Sequence, residues 1–275
     1  MIISSLAFAC MNATVKYLTH VSAYQIVFFR SISSLFFTFG FLLKNKIPLL
    51  GNNKKLLILR GLIGVSSMTF FFMSTKYLPI GTAVSLRYLG PIFAAIFAVF
   101  LLKETVKPLQ WFFFVMAFVG VLILKGFDDN LNWFGLLLVF ISAIFIGLVY
   151  IIISKIGKGD HPVVIVNYFL VIATIVGGLL SINTWVQPTF KELLLLMSLG
   201  VFGYYGSVYM TKALQISATN QIAPFKYLEV IFTVLFGVFV FSEIYTFWSL
   251  LGIALIITGL ILNILYKKRL ENRAK

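Results

Sequence analysis

The run Ala223-Pro224-Phe225-Lys226-Tyr227-Leu228-Glu229 opens an otherwise apolar stretch that continues to Phe241. Lys226 and Glu229 therefore sit inside a segment long enough to cross a bilayer. Each charge at the centre of such a segment costs about 2.5–3.5 kcal/mol on insertion scales. Spaced three apart on a helix, the two side chains share a face and partly neutralise one another. Pro224 removes one backbone donor, which predicts a kinked or loosened turn. A charged, Pro-interrupted half-helix near the midplane is the pattern that marks a transport site in a polytopic membrane protein.

Composition points the same way. Of 275 residues, 61% are apolar and 11% charged, against about 25% charged in soluble domains. An all-α membrane protein is expected, with the lipid bilayer as a partner. The net charge of +14 raises nucleic acid as a partner. However, the basic residues lie mostly in short connections between apolar runs, as membrane orientation requires, so no nucleic-acid partner is expected. Cys10, the single cysteine, excludes an intramolecular disulfide and reads as a buried thiol. Met1 leads straight into an apolar run with no basic stretch before it, which reads as a retained span and not a cleaved signal. A span that starts flush at Met1 also makes a truncated or misassigned start an expectation.

Ten apolar segments can be marked, each near the ~20 residues a bilayer needs. They are Ile2–Leu18, Tyr24–Leu43, Lys55–Thr75, Thr82–Leu102, Pro108–Leu124, Trp133–Ser154, Pro162–Ile182, Leu193–Thr211, Thr219–Phe241 and Tyr245–Tyr266. With a cytoplasmic N-terminus, 15 Lys and Arg residues, Arg60 among them, fall on the inner side and 4 on the outer: Lys16, Lys76, Lys125 and Lys191. Arg30, Arg87 and Lys226 stay inside the spans. This bias puts both termini in the cytoplasm of a multi-pass protein of the plasma or inner membrane.

An internal repeat appears at an offset of 139 residues, where Arg87-Tyr88-Leu89 aligns with Lys226-Tyr227-Leu228, Glu104 with Glu243, Gly120 with Gly259 and Lys16 with Lys155. At an offset of 136, Thr75-Lys76 aligns with Thr211-Lys212. Each half holds five spans. Because five is odd, the second half enters the membrane from the opposite side, which predicts ten transmembrane helices as two inverted five-helix repeats.

Five plus five spans, a Lys-Glu or Ser-Glu closing the fourth and ninth, and Pro-Phe-Lys-Tyr-Leu-Glu in the ninth resemble the drug/metabolite transporter superfamily, within it the EamA family. The run in span nine looks most like the branch of S-adenosylmethionine uptake carriers and organic-anion carriers. The resemblance covers Ile2 to Tyr266, with repeats at 1–125 and 132–266 and a basic cytoplasmic tail at 267–275. It implies a secondary transporter of a small polar metabolite, anionic or zwitterionic, amino-acid-like or S-adenosylmethionine-like, working by alternating access. Import and export are both found among relatives.

Arg87 and Lys226 are related by the repeat, so both can face one central cavity and bind an anionic group; an Arg fork suits a carboxylate or phosphate. The alternative is that Lys226 only neutralises Glu229 and that Arg87 snorkels to the interface. Glu229 could instead exchange a proton, as a Glu does in small multidrug carriers of the superfamily. The rival reading is thus a proton-coupled exporter of lipophilic or cationic compounds, although Lys226 one turn away opposes that role. Tyr88 and Tyr227 each follow a cation and could bond the substrate. Gly203-Tyr204-Tyr205-Gly206-Ser207 offers Tyr204 and Tyr205 as cavity residues. Asn12 and Asn167 are candidates for interhelix hydrogen bonds or cavity lining. Arg30 could snorkel outward or pair with a substrate, the former being favoured, and Glu104 and Glu243 are expected to serve structure at helix ends near water.

No enzymatic constellation, metal-ligand spacing or phosphate loop occurs, and His20 and His161 lie at separate loop ends. No cofactor or metal is expected, and any transport is secondary. Proton coupling, and monomer against homodimer, stay open.

Overall fold

The computed structural model describes residues 2–102, 107–126, 132–216 and 228–273, and among these the regular elements are all helical. They are α1 (Ile2–Tyr17), α2 (Ala23–Lys44), α3 (Lys54–Ser74), α4 (Ile80–Arg87), α5 (Gly90–Leu102), α6 (Pro108–Gly126), α7 (Trp133–Ile156), α8 (Pro162–Ser181), α9 (Phe190–Ile216), α10 (Leu228–Phe241) and α11 (Phe247–Arg273), with single 3₁₀ turns at Gly157–Gly159 and Ile182–Thr184. Seven helical stretches among the described residues are long and apolar enough to cross a membrane, α4 and α5 counting as one. The apolar helices Pro108–Gly120 and Leu228–Phe241 are shorter, and α1 has 16 residues. The chain is a multi-pass membrane protein.

Helix starts are written locally. Asn53, Asn132 and His161 each accept a hydrogen bond from an N–H in the first turn of the helix they precede. Thr189 and Glu192 bond each other's backbone N–H at the start of α9, a reciprocal cap. The fourth expected span, read as continuous from Thr82 to Leu102, is broken. Pro91 has no N–H for the carbonyl of Arg87 one turn earlier, so α4 stops at Arg87 and α5 starts at Gly90. Pro224 and the part of span nine before Leu228 lie outside the described residues.

The packing is close to two-fold symmetric. α1 packs on α9 as α3 packs on α7, and α2 on α9 as α3 on α8. α1 meets α10 as α7 meets α4 and α5, while α2 pairs with α8 and α6 with α11. Glycine contacts give the register. A side chain at Gly120 would meet the Gly252 carbonyl and Ile256, and one at Gly259 would meet the Phe113 carbonyl and Ala117. Each of these residues lies 139 positions from its counterpart, so one contact occurs twice. Gly61 against Ile172 and Gly200 against Ser33 repeat it, as do Gly64 against Phe169 and Gly203 against Arg30. Small residues let helix backbones approach, and hydroxyls then bond across. Ser34 donates to the Gly200 carbonyl at 2.8 Å, Ser67 and Ser142 donate to each other's carbonyls, and Thr38 donates to Asn167 at 3.0 Å.

The two copies of the glycine contact differ in how far the neighbour can yield. An added Cβ at Gly200 lies 2.8 Å from the Ser33 and Ser34 backbone, whereas at Gly61 it meets the flexible end of Ile172. Gly200→Ala is therefore expected to lose about 2–3 kcal/mol and Gly61→Ala under about 1 kcal/mol. Detergent melting of the two variants checks this ranking, and the reverse order would refute the register.

Glu243 ties the halves together at one end. Its carboxylate accepts the Ile80 N–H at 3.1 Å, at the start of α4, and the Tyr245 hydroxyl at 2.6 Å. It also pairs with Lys16 at 3.4 Å. Lys16 donates in addition to the Thr75 and Leu78 carbonyls, at 3.0 and 2.8 Å. An acid at a helix N-terminus satisfies exposed N–H groups and complements the helix dipole.

Candidate functional site

The break between α4 and α5 turns Tyr88 inward, where its hydroxyl donates to Glu229 Oε2 at 2.7 Å. Glu229 stands in the first turn of α10 and is 6% exposed. Its other oxygen accepts Asn12 Nδ2, from α1, at 3.0 Å. Three helices from both halves thus converge on one buried carboxylate. A carboxylate can take only the NH₂ side of an amide. Asn12 Oδ1 is therefore left as a buried acceptor without a hydrogen-bond partner among the described residues.

Arg87 ends α4 one residue before Tyr88. Its guanidinium carbon lies 4.3 Å from the centre of the Phe71 ring, and its charge is within electrostatic reach of Glu229. The arrangement has a donor end at Arg87 and an acceptor end at Glu229 and Asn12.

Of the residues singled out in the sequence, Asn12, Tyr88 and Glu229 are brought into direct contact, with Arg87 alongside. Lys226 and Tyr227 lie outside the described residues. Tyr204 and Tyr205 stand apart from this cluster. Their rings contact Phe37, Tyr209 and each other, and Tyr205 is 45% exposed. Gly203 faces Arg30, and Tyr205, two residues on, is about 200° further round the helix. This pair belongs to the outer rim of α9.

Arg30 corrects the snorkelling reading. It does not snorkel: it is 3% exposed, donates to the Met11 and Met68 sulfurs at 3.2 and 2.9 Å, and lies 5.5 Å from the Phe169 ring centre. Arg60, assigned above to the inner connection, is instead 8% exposed within α3 and sits 4.4 Å from the same ring. Removing Arg60 leaves 14 inner against 4 outer basic residues, so the orientation bias persists. The signal missed was local. Arg60 follows Leu-Leu-Ile-Leu and precedes Gly61-Leu-Ile-Gly64, and a charge next to a small-residue face is aimed at a neighbouring helix. Cys10 is half-buried and free.

Known proteins supply an independent comparison. The pseudopaline exporter CntI of Pseudomonas aeruginosa is 27% identical over 94% of this chain and 89% of its own. The S-adenosylmethionine uptake transporter of Rickettsia bellii is 28% identical over 92% of this chain and 88% of its own. The human solute carrier family 35 member G1 is 25% identical over 91% of this chain and 74% of its own. One solved crystal structure superposes over 98% of both chains with a TM-score of 0.70 at 18% identity, a likeness of fold alone. The EamA-like transporter family matches residues 1–125 and again 133–265. With two matches spanning nearly its whole length, and with apolar helices that meet around one buried charged cluster, this chain belongs to the EamA-like transporter family of membrane transporters.

Proposed function

We propose that this transporter is a secondary carrier of a small zwitterionic or anionic metabolite, which it moves by alternating access about the Arg87–Tyr88–Glu229–Asn12 cluster. The observation that carries the reading is a buried carboxylate held by α1, the α4–α5 break and α10 together, with Arg87 within electrostatic reach. An α-amino-acid group is the simplest ligand that matches, its carboxylate taken by Arg87 and its ammonium by Glu229 and Asn12 Oδ1. The proposal extends to Lys226 and Tyr227 as substrate ligands, on the sequence repeat that aligns them with Arg87 and Tyr88.

The same reading has two inverted five-helix halves, 1–125 and 132–266, a basic tail at 267–275 and both termini in the cytoplasm. Recurrence of helix contacts at one offset supports it. So does the grouping of chain connections. His20 pairs with Glu192 and Gln25 bonds Val186 at one end, while Asp160 bonds the Asn52 and Asn53 backbone at the other. Relatives named for an exporter and for an uptake transporter suit one such design, in which coupling and not fold sets direction.

The test is a thermal-shift screen of purified protein against metabolites of each charge class, followed by uptake into proteoliposomes. Zwitterions and anions should raise the melting temperature and accumulate. Stabilisation by lipophilic cations alone would favour proton-coupled cation export through Glu229. Against that rival, Asn12 and Tyr88 each donate to one oxygen of Glu229, an arrangement that satisfies a carboxylate.

A further inference from the structure

Arg30 and Arg60 lie within the membrane-spanning helices α2 and α3, and the cluster just described does not use them. Both guanidiniums lie over the ring of Phe169. Arg30 has two thioether sulfurs as its acceptors, and thioethers are weak acceptors. Arg60 Nε and Nη1 are buried with no hydrogen-bond partner among the described residues. Space for the two groups is built into the backbone. An added Cβ at Gly64 would come within 3.2 Å of Arg60 Nη1, and one at Gly203 within 3.1 Å of Arg30 Nε.

Among the described residues, neither cation has an ion pair. The chain has eight acidic residues. Of those with described side chains, Asp160 holds the Asn52 and Asn53 backbone, Glu192 pairs with His20, and Glu243 pairs with Lys16. Glu229 is within electrostatic reach of Arg87 and accepts hydrogen bonds from Tyr88 and Asn12. Arg30 is within electrostatic reach of both Arg60 and Arg87. Two buried guanidiniums, Arg30 and Arg60, therefore stand near the half-buried Arg87, and Glu229 is the carboxylate within electrostatic reach of Arg87. A buried charge without a partner is costly, and within a membrane span it marks a ligand path by default.

We propose that Arg30 and Arg60, which share the ring of Phe169, form a second anion subsite within electrostatic reach of Arg87, so that the carried molecule bears a second acidic group, a carboxylate or a phosphate. The proposal rests on the transport site assigned above and narrows its substrate class to molecules with two acid groups. A guanidinium fork with free nitrogens takes either a carboxylate or a phosphate through paired hydrogen bonds. The thioethers of Met11 and Met68 yield easily to an incoming anion, because they bond Arg30 weakly and their side chains are flexible.

The experiment uses the purified full-length protein and follows melting in phosphate, malonate, acetate or chloride at equal ionic strength. Phosphate and malonate arms separate the two sources of negative charge, and acetate and chloride are the monoanion controls. At least one dianion should raise the melting temperature of the wild type well above either control. R60Q should lower the apparent affinity for that dianion about tenfold or more, the usual consequence of losing a charge-assisted hydrogen bond. In chloride, R60Q should melt at or above the wild-type temperature, because an unpaired buried charge has been removed. R60K, which keeps the charge but loses the fork, should retain part of the dianion response.

Equal stabilisation by mono- and dianions, an undiminished dianion response in R60Q, or a lower melting temperature of R60Q in chloride would each overturn the subsite. If dianions fail while amino acids still stabilise the protein, the second subsite falls and the transport site at Arg87 and Glu229 stands. If only lipophilic cations stabilise it, both fall.

Discussion

Glu229→Ala should cost the fold about 3–5 kcal/mol, the range expected when one member of a buried charged cluster is removed and its partners are orphaned. The loss falls in three places. Asn12 Nδ2 and the Tyr88 hydroxyl, both buried, lose their acceptor, and Arg87 loses its nearby countercharge. Glu229→Gln keeps one acceptor oxygen and the side-chain volume, so it should cost only about 1–2 kcal/mol. Transport should be lost in both variants, since an amide no longer neutralises a bound ammonium. Denaturation in mixed detergent gives the stabilities and proteoliposome uptake the activities. A small and equal cost for the two substitutions would mean that the carboxylate is not the hub its contacts describe.

Arg87→Ala is expected to have the largest effect on transport, a loss of about a hundredfold or more, because a bidentate ionic contact to substrate disappears in a low-dielectric site. Its effect on folding should be small. Arg87 contacts the Phe71 ring, and such a contact is worth about 0.5–2 kcal/mol. Arg87→Lys should restore part of the rate, since it returns the charge without the planar fork. Initial rates of counterflow, measured with a metabolite that stabilises the wild-type protein and normalised to the amount reconstituted, separate these outcomes. Normal transport by Arg87→Ala would move substrate anion binding to Arg30 and Arg60.

The contacts of Glu229 and Asn12 in the candidate cluster are legible in the sequence because bilayer energetics restrict where polar groups can go. Glu229 and Asn12 each interrupt an apolar run, and a group so costly to bury has to find a partner; the two find one another. Side chains chosen for type alone were a weaker guide. A tyrosine sits comfortably against lipid, so Tyr204 and Tyr205 carried no information about their face until Gly203 fixed it. Arg60 was hidden by its neighbours Lys54 and Lys55, which made it look like part of an interfacial cluster one turn below. The α4–α5 break escaped notice because hydropathy does not register a missing N–H, and Pro91 looks as apolar as the residues around it.

The pairing of Arg30 with Phe169 has a consequence for the ancestry of the fold. The two residues lie 139 positions apart, on the helices α2 and α8 that pair across the approximate symmetry axis, and they touch. In a dimer of identical subunits, a residue on the axis meets its own copy. An ancestor with arginine at this position would have set two like charges against each other, and one with phenylalanine would have had no charge there. Within a single chain the two positions are free of that constraint: one is a cation and the other the ring it lies over, a charged centre that a symmetric pair of identical chains could not build.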